Sequence, residues 1–258
     1  MSKLTAAASD DQAPDRSRLK SAAPRTSLGE VVADRVRDAI LHGELRPSEH
    51  LREEELSELL EVSRGPVREA FLILQREGLV QVLRHRGARV VDLSLTDLGE
   101  VYSLRASIED LAVRLATRRR EESDLARLQG SFDAMEKLPK SKRTEHEAAR
   151  MDVEFHDGIF AAARHERLWD SWSAIRMQVF LLLLKRNIAN PDWRVITAEG
   201  HHRILERIRS GSEDAAAAEV RDHISTGYQR IVNGLVETAG KSTPEDDIRR
   251  LADTFLLP

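Results

Sequence analysis

Cysteine is absent from this 258-residue chain, which excludes disulfides, thiolate nucleophiles and cysteine-ligated metal sites. Aromatic residues supply only 4% of the sequence, which favours long charged helices over a β-sandwich. Long apolar stretches are missing as well. The longest, VFLLLL from Val179 to Leu184, is far short of the roughly 20 residues that a membrane helix needs, and the N-terminus has no signal-peptide-like apolar region. The expectation is a soluble, cytoplasmic, mainly α protein. A net charge of -4 argues against wholesale coating of nucleic acid, so any basic surface has to be local.

What is present divides the chain. Residues 1–27 are small, polar and charged, with two prolines and no apolar period, and read as a disordered tail. From Leu28, Val32, Val36, Ala39 and Ile40 share one helical face. Gly43 and Pro47 break the period, and a short helix carrying Leu56, Leu59 and Leu60 follows. The stretch SRGPVREAF, Ser63–Phe71, opens a third helix, capped by Ser63, in which Val67, Ala70, Phe71 and Leu74 form the core face and Gly78 the stop. The segment LVQVLRHRGARVVDL then offers two β-branched arms around RHRG, a hairpin with Gly87 near its tip. Three helices and a hairpin make a winged helix over residues 28–92. Beyond Thr96 only helical patterns occur, at about 96–118, 122–138, 143–163, 166–188, 191–209 and 213–238, which implies a six-helix bundle over 96–240. Residues 241–258 form a linker-like C-terminal tail.

With the third helix buried through Val67, Phe71 and Leu74, Arg64 and Arg68 project from its N-terminal turns on the other side. A recognition helix presents its N-terminal residues to the major groove, where an arginine fork pairs bidentately with guanine. Between residues 64 and 89 six arginines oppose only Glu69 and Glu77, a local basic patch in an acidic chain. The competing reading is solvated surface pairing of Arg64 and Arg68, for instance with Glu69 or Glu61.

A second constellation lies in the bundle. Leu98, Val101, Ile108, Ala112 and Leu115 trace an apolar stripe in which Arg105 occupies a core position, and a buried arginine requires an anionic partner. Glu109, one turn on, is one candidate; a ligand carboxylate is the other. Asp152 and His156 share the apolar face of another helix, at i and i+4, while His201 and His223 face inward from two more. One Asp and three neutral His suit Zn²⁺, Ni²⁺ or a similar divalent ion, with coordination positions left for water or ligand. The surplus positive charge of such a site suits an organic anion. Histidines 42, 50, 85, 146 and 165 read as surface or wing residues.

The run AILHGELRPSEHLREEELSELLEVSRGPVREAFLILQREGLVQVLRHRGARV resembles the winged helix of GntR-superfamily transcription regulators along its whole length. It departs at LRPSEHL, where Ser48 stands in place of the usual glycine after proline. The motifs LRASIE, DVEFH, HHRIL and RDHI resemble the FadR-like branch with its C-terminal FCD effector domain. The resemblance implies DNA contacts from Arg64, Gly65 and Arg68 in the recognition helix and from Arg86 and Gly87 in the wing. It also selects His201 rather than His202, although Gly200 replaces the glutamate that usually precedes this histidine.

The expected function is that of a homodimeric repressor that binds an inverted-repeat operator and is modulated by a small carboxylate. Arg105 is the candidate receptor for that carboxylate, beside an ion held by Asp152, His156, His201 and His223. The alternative is a hydrolase or lyase using the same ion to activate water, although the sequence has no HExxH helix and no clear general base. A helical scaffold with satisfied core histidines would leave the basic winged helix unexplained.

Overall fold

The computed structural model describes residues 27–84, 86–137, 144–189 and 193–238. The readings of the two tails, apart from Ser27, and of His85 lie outside these residues. The N-terminal part comprises α1 (Leu28–Leu41), β1 (His50–Leu51), α2 (Glu53–Leu59), α3 (Arg64–Arg76), β2 (Val80–Leu83) and β3 (Gly87–Val90). Helices α4 (Leu95–Arg119), α5 (Glu122–Lys137), α6 (Glu145–Ala163), α7 (Glu166–Ala189), α8 (Trp193–Ser210) and α9 (Glu213–Thr238) form the C-terminal part.

Helix α1 begins at Ser27, whose hydroxyl accepts from the Glu30 amide while the Glu30 carboxylate accepts from the Ser27 amide. This reciprocal cap satisfies two of the amides a helix start leaves open. Val32, Val36 and Ile40 of α1 and Val67, Phe71 and Leu74 of α3 are buried, and the two helices pack face to face. The sheet has three antiparallel strands in the order β1-β3-β2, one more than the sequence suggests. Strand β1 is only two residues long, pairing His50 with Arg89 and Leu51 with Ala88, too short for an alternating pattern to register. Gly87 takes φ 88°, and a Cβ there would lie 2.2 Å from the Leu51 carbonyl oxygen. The tight β1-β3 approach therefore admits only glycine.

A reciprocal cap at Ser94 and Asp97 starts α4, which runs through the bundle against α9, α6 and α7. Phe155, Ile159, Ile204, Leu205, Ile208, Val220 and Ile224 are buried around it. Trp172 is fully buried, stacked on Phe160 with ring centroids 4.9 Å apart, and its indole N–H donates to Asp157 at 2.5 Å. Helix α7 also ties the two parts together. The Gln178 amide donates to the Gly78 carbonyl at 3.3 Å and Lys185 Nζ to the Leu93 carbonyl at 3.2 Å.

Candidate nucleic-acid interface and metal centre

Ser63 occupies the N-cap of α3 with extended backbone angles, yet its side chain makes no capping hydrogen bond. The third helical position is Pro66, which has no amide proton to give, so the usual donor is missing. Arg64 and Arg68 stand on the exposed side of α3, with the core face turned away. Their partners come from α2 rather than from Glu69 or Glu61: Arg64 pairs with Glu54, and Arg68 Nε donates to Glu53 at 2.7 Å. Glu69 instead accepts from the Ser27 hydroxyl at 2.8 Å. A groove between α3 and the wing is lined by Arg52, Arg64, Arg68, Arg84 and Arg86 against Glu53 and Glu54, with Gly87 at its edge. Arg76 and Arg89 of the same basic stretch do not line it. Gly65 differs from Gly87, because a Cβ there would touch only the Ser63 hydroxyl, at 3.9 Å. Nothing inside the described chain requires a glycine at that position.

In the bundle, ligand atoms of Asp152, His156, His201 and His223 all lie within 4.8 Å of one another. The i, i+4 spacing on α6 stacks Asp152 under His156, while α8 and α9 bring in His201 and His223. Asp152 Oδ1 is 3.6 Å from His156 Nε2 and 3.8 Å from His201 Nε2. Ligands held at about 2.1 Å around a tetrahedral ion would stand roughly 3.4 Å apart, so only small movements are needed. Asp152 Oδ1 is buried with no hydrogen-bond partner among the described residues, a costly arrangement unless a cation shares the site. The donor set and this orphaned oxygen together fit a divalent ion. His202 is exposed, its ring 5.1 Å from that of Phe132, and stands outside the cluster.

Charge states favour the same conclusion. Burial drives the imidazoles of His156 and His223 below their ordinary value, aided at His223 by neighbouring His201 and His156. Burial alone would raise Asp152, but His201, Arg186 and His156 outweigh it and hold the carboxyl well below its usual range. Neutral imidazoles and an ionised carboxylate are the forms that coordinate a metal.

Arg105 is fully buried, as its place on the apolar stripe required, and it meets the rival the sequence named. Its Nε donates to Glu109 at 2.6 Å, and its Nη2 lies 2.9 Å from His156 Nε2 and 3.9 Å from Asp152. The other Glu109 oxygen lies 2.6 Å from His156 Nδ1. That carboxylate stands beside Nδ1, where an outer-shell partner of a metal-bound histidine is commonly found, and Nε2 is left toward the cluster. A second buried arginine escaped the sequence reading. Arg186 of α7 donates to Asp152 Oδ2 at 3.3 Å and to Asn187 Oδ1 at 3.1 Å. Val179 and Leu183 are buried at offsets of seven and three residues before it, so the stripe argument used for Arg105 applies equally to Arg186. The Tyr102 hydroxyl is buried beside Gly227 and finds no hydrogen-bond partner among the described residues. His146, expected at the surface, is partly buried and stacks on His42, with ring centroids 4.3 Å apart.

A winged helix with an arginine-lined groove, joined to a helical domain enclosing a ligand-type cluster, defines a DNA-binding transcription regulator. The sequence comparisons agree on the kind. Residues 28–90 match the model of the bacterial regulatory proteins of the gntR family, and residues 100–226 match the FCD domain. The chain belongs to the GntR family and carries an FCD domain. It is 30% identical over 218 residues to a protein of Paenarthrobacter nicotinovorans named as the probable D-xylose utilization operon transcriptional repressor, an alignment covering 83% of this chain and 94% of that one. It is also 30% identical to the Nta operon transcriptional regulator of Aminobacter aminovorans, covering 72% and 86%. Among solved structures, McbR/YncC of E. coli shares the fold with a TM-score of 0.67 at 21% identity, covering 81% of this chain and 99% of that one. The Paenarthrobacter and Aminobacter relatives are named as regulators of transcription, and the hydrolase or lyase alternative is set aside. Among the described residues no helix is long and apolar enough to cross a membrane.

Proposed function

We propose that this regulator is a cytoplasmic, homodimeric repressor whose grip on an inverted-repeat operator is controlled by a small carboxylate in the bundle. The observation that carries this reading is the convergence of Asp152, His156, His201 and His223 within 4.8 Å, with two buried arginines against the same cluster. The positive charges of Arg105 and Arg186 balance Glu109 and Asp152, so a bound Zn²⁺ or Ni²⁺ leaves the pocket with a surplus of two. When bound, the ion supplies open coordination positions for an anion. Arg105 serves as the carboxylate receptor even though Glu109 holds its Nε, because a guanidinium offers five N–H donors. The Arg105 donor that now meets His156 Nε2 would be free to turn to the carboxylate when Asp152, His156, His201 and His223 held an ion.

Operator contact falls to Arg64, Gly65 and Arg68 of α3 and to Arg86 and Gly87 of the wing. Glu53 and Glu54 preorient the arginines until base edges or phosphates replace them. Dimerisation is supported by a stripe on α4, where Leu104 and Leu111 are 45% and 44% exposed at helical spacing with the half-buried Ile108 and Leu115. A two-fold dimer presents two recognition helices, hence the inverted repeat. Repression rather than activation follows the name of the Paenarthrobacter relative.

Purified protein is expected to carry about one divalent ion per chain, lost on joint replacement of His156 and His223. Arg105→Met is expected to keep the ion and the operator but to ignore carboxylates that shift operator affinity of the unsubstituted protein. An undiminished response in Arg105→Met, read by operator titration, would remove this arginine from the effector site. Equal metal content in the histidine variant would remove the ligand set.

A further inference from the structure

A second cavity, of about 420 Å³, lies between the two domains rather than inside the bundle. Its walls come from both sides. The end of α1 and β3 contribute apolar residues such as Leu41 and Val90, and α7 contributes Leu184 and Ile188. The volume is that of a small-ligand pocket, and an apolar wall with a few polar groups is the usual composition of one.

The polar groups gather at one side. The N-cap and first two residues of α6, Thr144, Glu145 and His146, line the cavity together with Lys185 of α7. A helix N-terminus carries partial positive charge, and the Lys185 ammonium adds a full one. His146 Nε2 is buried and has no hydrogen-bond partner among the described residues. An unpaired buried ring nitrogen is costly, and a turn of the ring toward the cavity it lines would let a polar ligand atom satisfy it. His42 stacks on the same ring from the winged-helix side, its Nδ1 held 2.7 Å from the Asp38 carbonyl. Among the described residues Glu145 is the one acid in the lining, and it sits in the first turn of α6, where the helix dipole compensates a carboxylate.

We infer that this interdomain cavity binds an amphipathic monocarboxylate. Its apolar body packs between Leu41 and Val90 on one side and Leu184 and Ile188 on the other, and its anionic end meets Lys185, His146 and the first turn of α6. Such a ligand touches both domains at once, so it favours the domain arrangement that forms the cavity over any arrangement that opens it. The site is distinct from the metal centre, and its occupation requires no ion.

The test uses full-length, metal-loaded protein with 4-butylbenzoate as probe and 4-butylbenzamide as its uncharged match, followed by calorimetry. One benzoate per chain is expected to bind, at least tenfold more tightly than the amide. Ile188 is 67% exposed, so Ile188→Trp fills the mouth of the cavity without disturbing folding. It and Leu41→Trp, from the opposite wall, are each expected to weaken benzoate binding at least tenfold. Lys185→Met is expected to bring the acid down to the level of the amide. The joint His156→Ala and His223→Ala variant is expected to bind the probe undiminished. Binding that survives both tryptophans overturns the proposal, as does absence of binding at millimolar probe. Loss of binding in the histidine variant would place the probe at the metal centre and overturn it equally, and equal affinity for acid and amide would overturn the anionic end.

Discussion

Two single residues show how locally this chain has been fitted. Ser48 follows Pro47 and takes φ 65°, a left-handed conformation that costs an L-residue about 1–2 kcal/mol. Its amide still donates to the Val90 carbonyl at 3.1 Å, so the turn is held despite the cost, and the hydroxyl gains only a 3.3 Å contact with exposed Asp92. Glycine adopts this conformation freely but loses more entropy on folding, by about 0.5–1 kcal/mol. Ser48→Gly is therefore expected to stabilise the protein by roughly 0.5–1 kcal/mol, and a lowered denaturation midpoint would contradict it. Gly200 shows the converse. A Cβ there would stand 2.6 Å from Nδ1 of His223, so the small residue before His201 makes room for a ring on the neighbouring helix. Gly200→Ala forces that ring aside, and a loss of metal affinity of about 10–100-fold is expected, as for other residues that orient ligands. A competition titration with a chromogenic chelator measures it; unchanged affinity would show that His223 does not need its present position.

The helical elements were readable because each carries an unbroken period between recognisable stops. Gly78 and Gly211 take the positive φ expected of residues just beyond helix ends. The inward Arg105, Asp152, His156, His201 and His223 were readable for the same reason, as polar intrusions on apolar stripes. Strand β1 was not, since two residues have no period. Neither were the partners of Arg64 and Arg68, because α2 and α3 meet through a turn whose geometry the sequence does not state. Arg186 could have been found by its stripe but was masked by the apolar run before it. These α2 carboxylates bear on the recognition helix. Arg64→Ala or Arg68→Ala is expected to weaken specific operator binding by about 1–3 kcal/mol if the fork reads guanine, with a smaller effect on random DNA. Equal losses on both DNAs in a binding titration would assign the side chain to phosphate.

For the molecule as a whole, the buried cluster couples stability to pH. His156 and His223 have depressed values in the folded protein, so the unfolded chain takes up protons first. Their contribution is complete above the ordinary imidazole value, about 6.5, and is lost as pH falls below it. Asp152 and Glu109 are likewise depressed, and their contribution is lost only below the ordinary carboxylate range, near pH 4. Melting temperature in chelator is therefore expected to fall in two stages on acidification, and His223→Asn is expected to flatten the first. A melting temperature constant between about pH 7.5 and 5.5 would contradict the lowered values of these rings.

Helix α7 carries two neighbouring cations with different duties. Arg186 grips the Asp152 carboxylate inside the bundle, while Lys185 holds the backbone at Leu93, in the segment that joins the wing to α4. Successive residues point about 100° apart around a helix axis, so the two side chains behave as the arms of a bell crank pivoting on one rod. On the proposed reading, a few degrees of roll that drew Arg186 toward a bound anion would swing the Lys185 arm by the same angle, and with it the strap from which the DNA-reading head hangs.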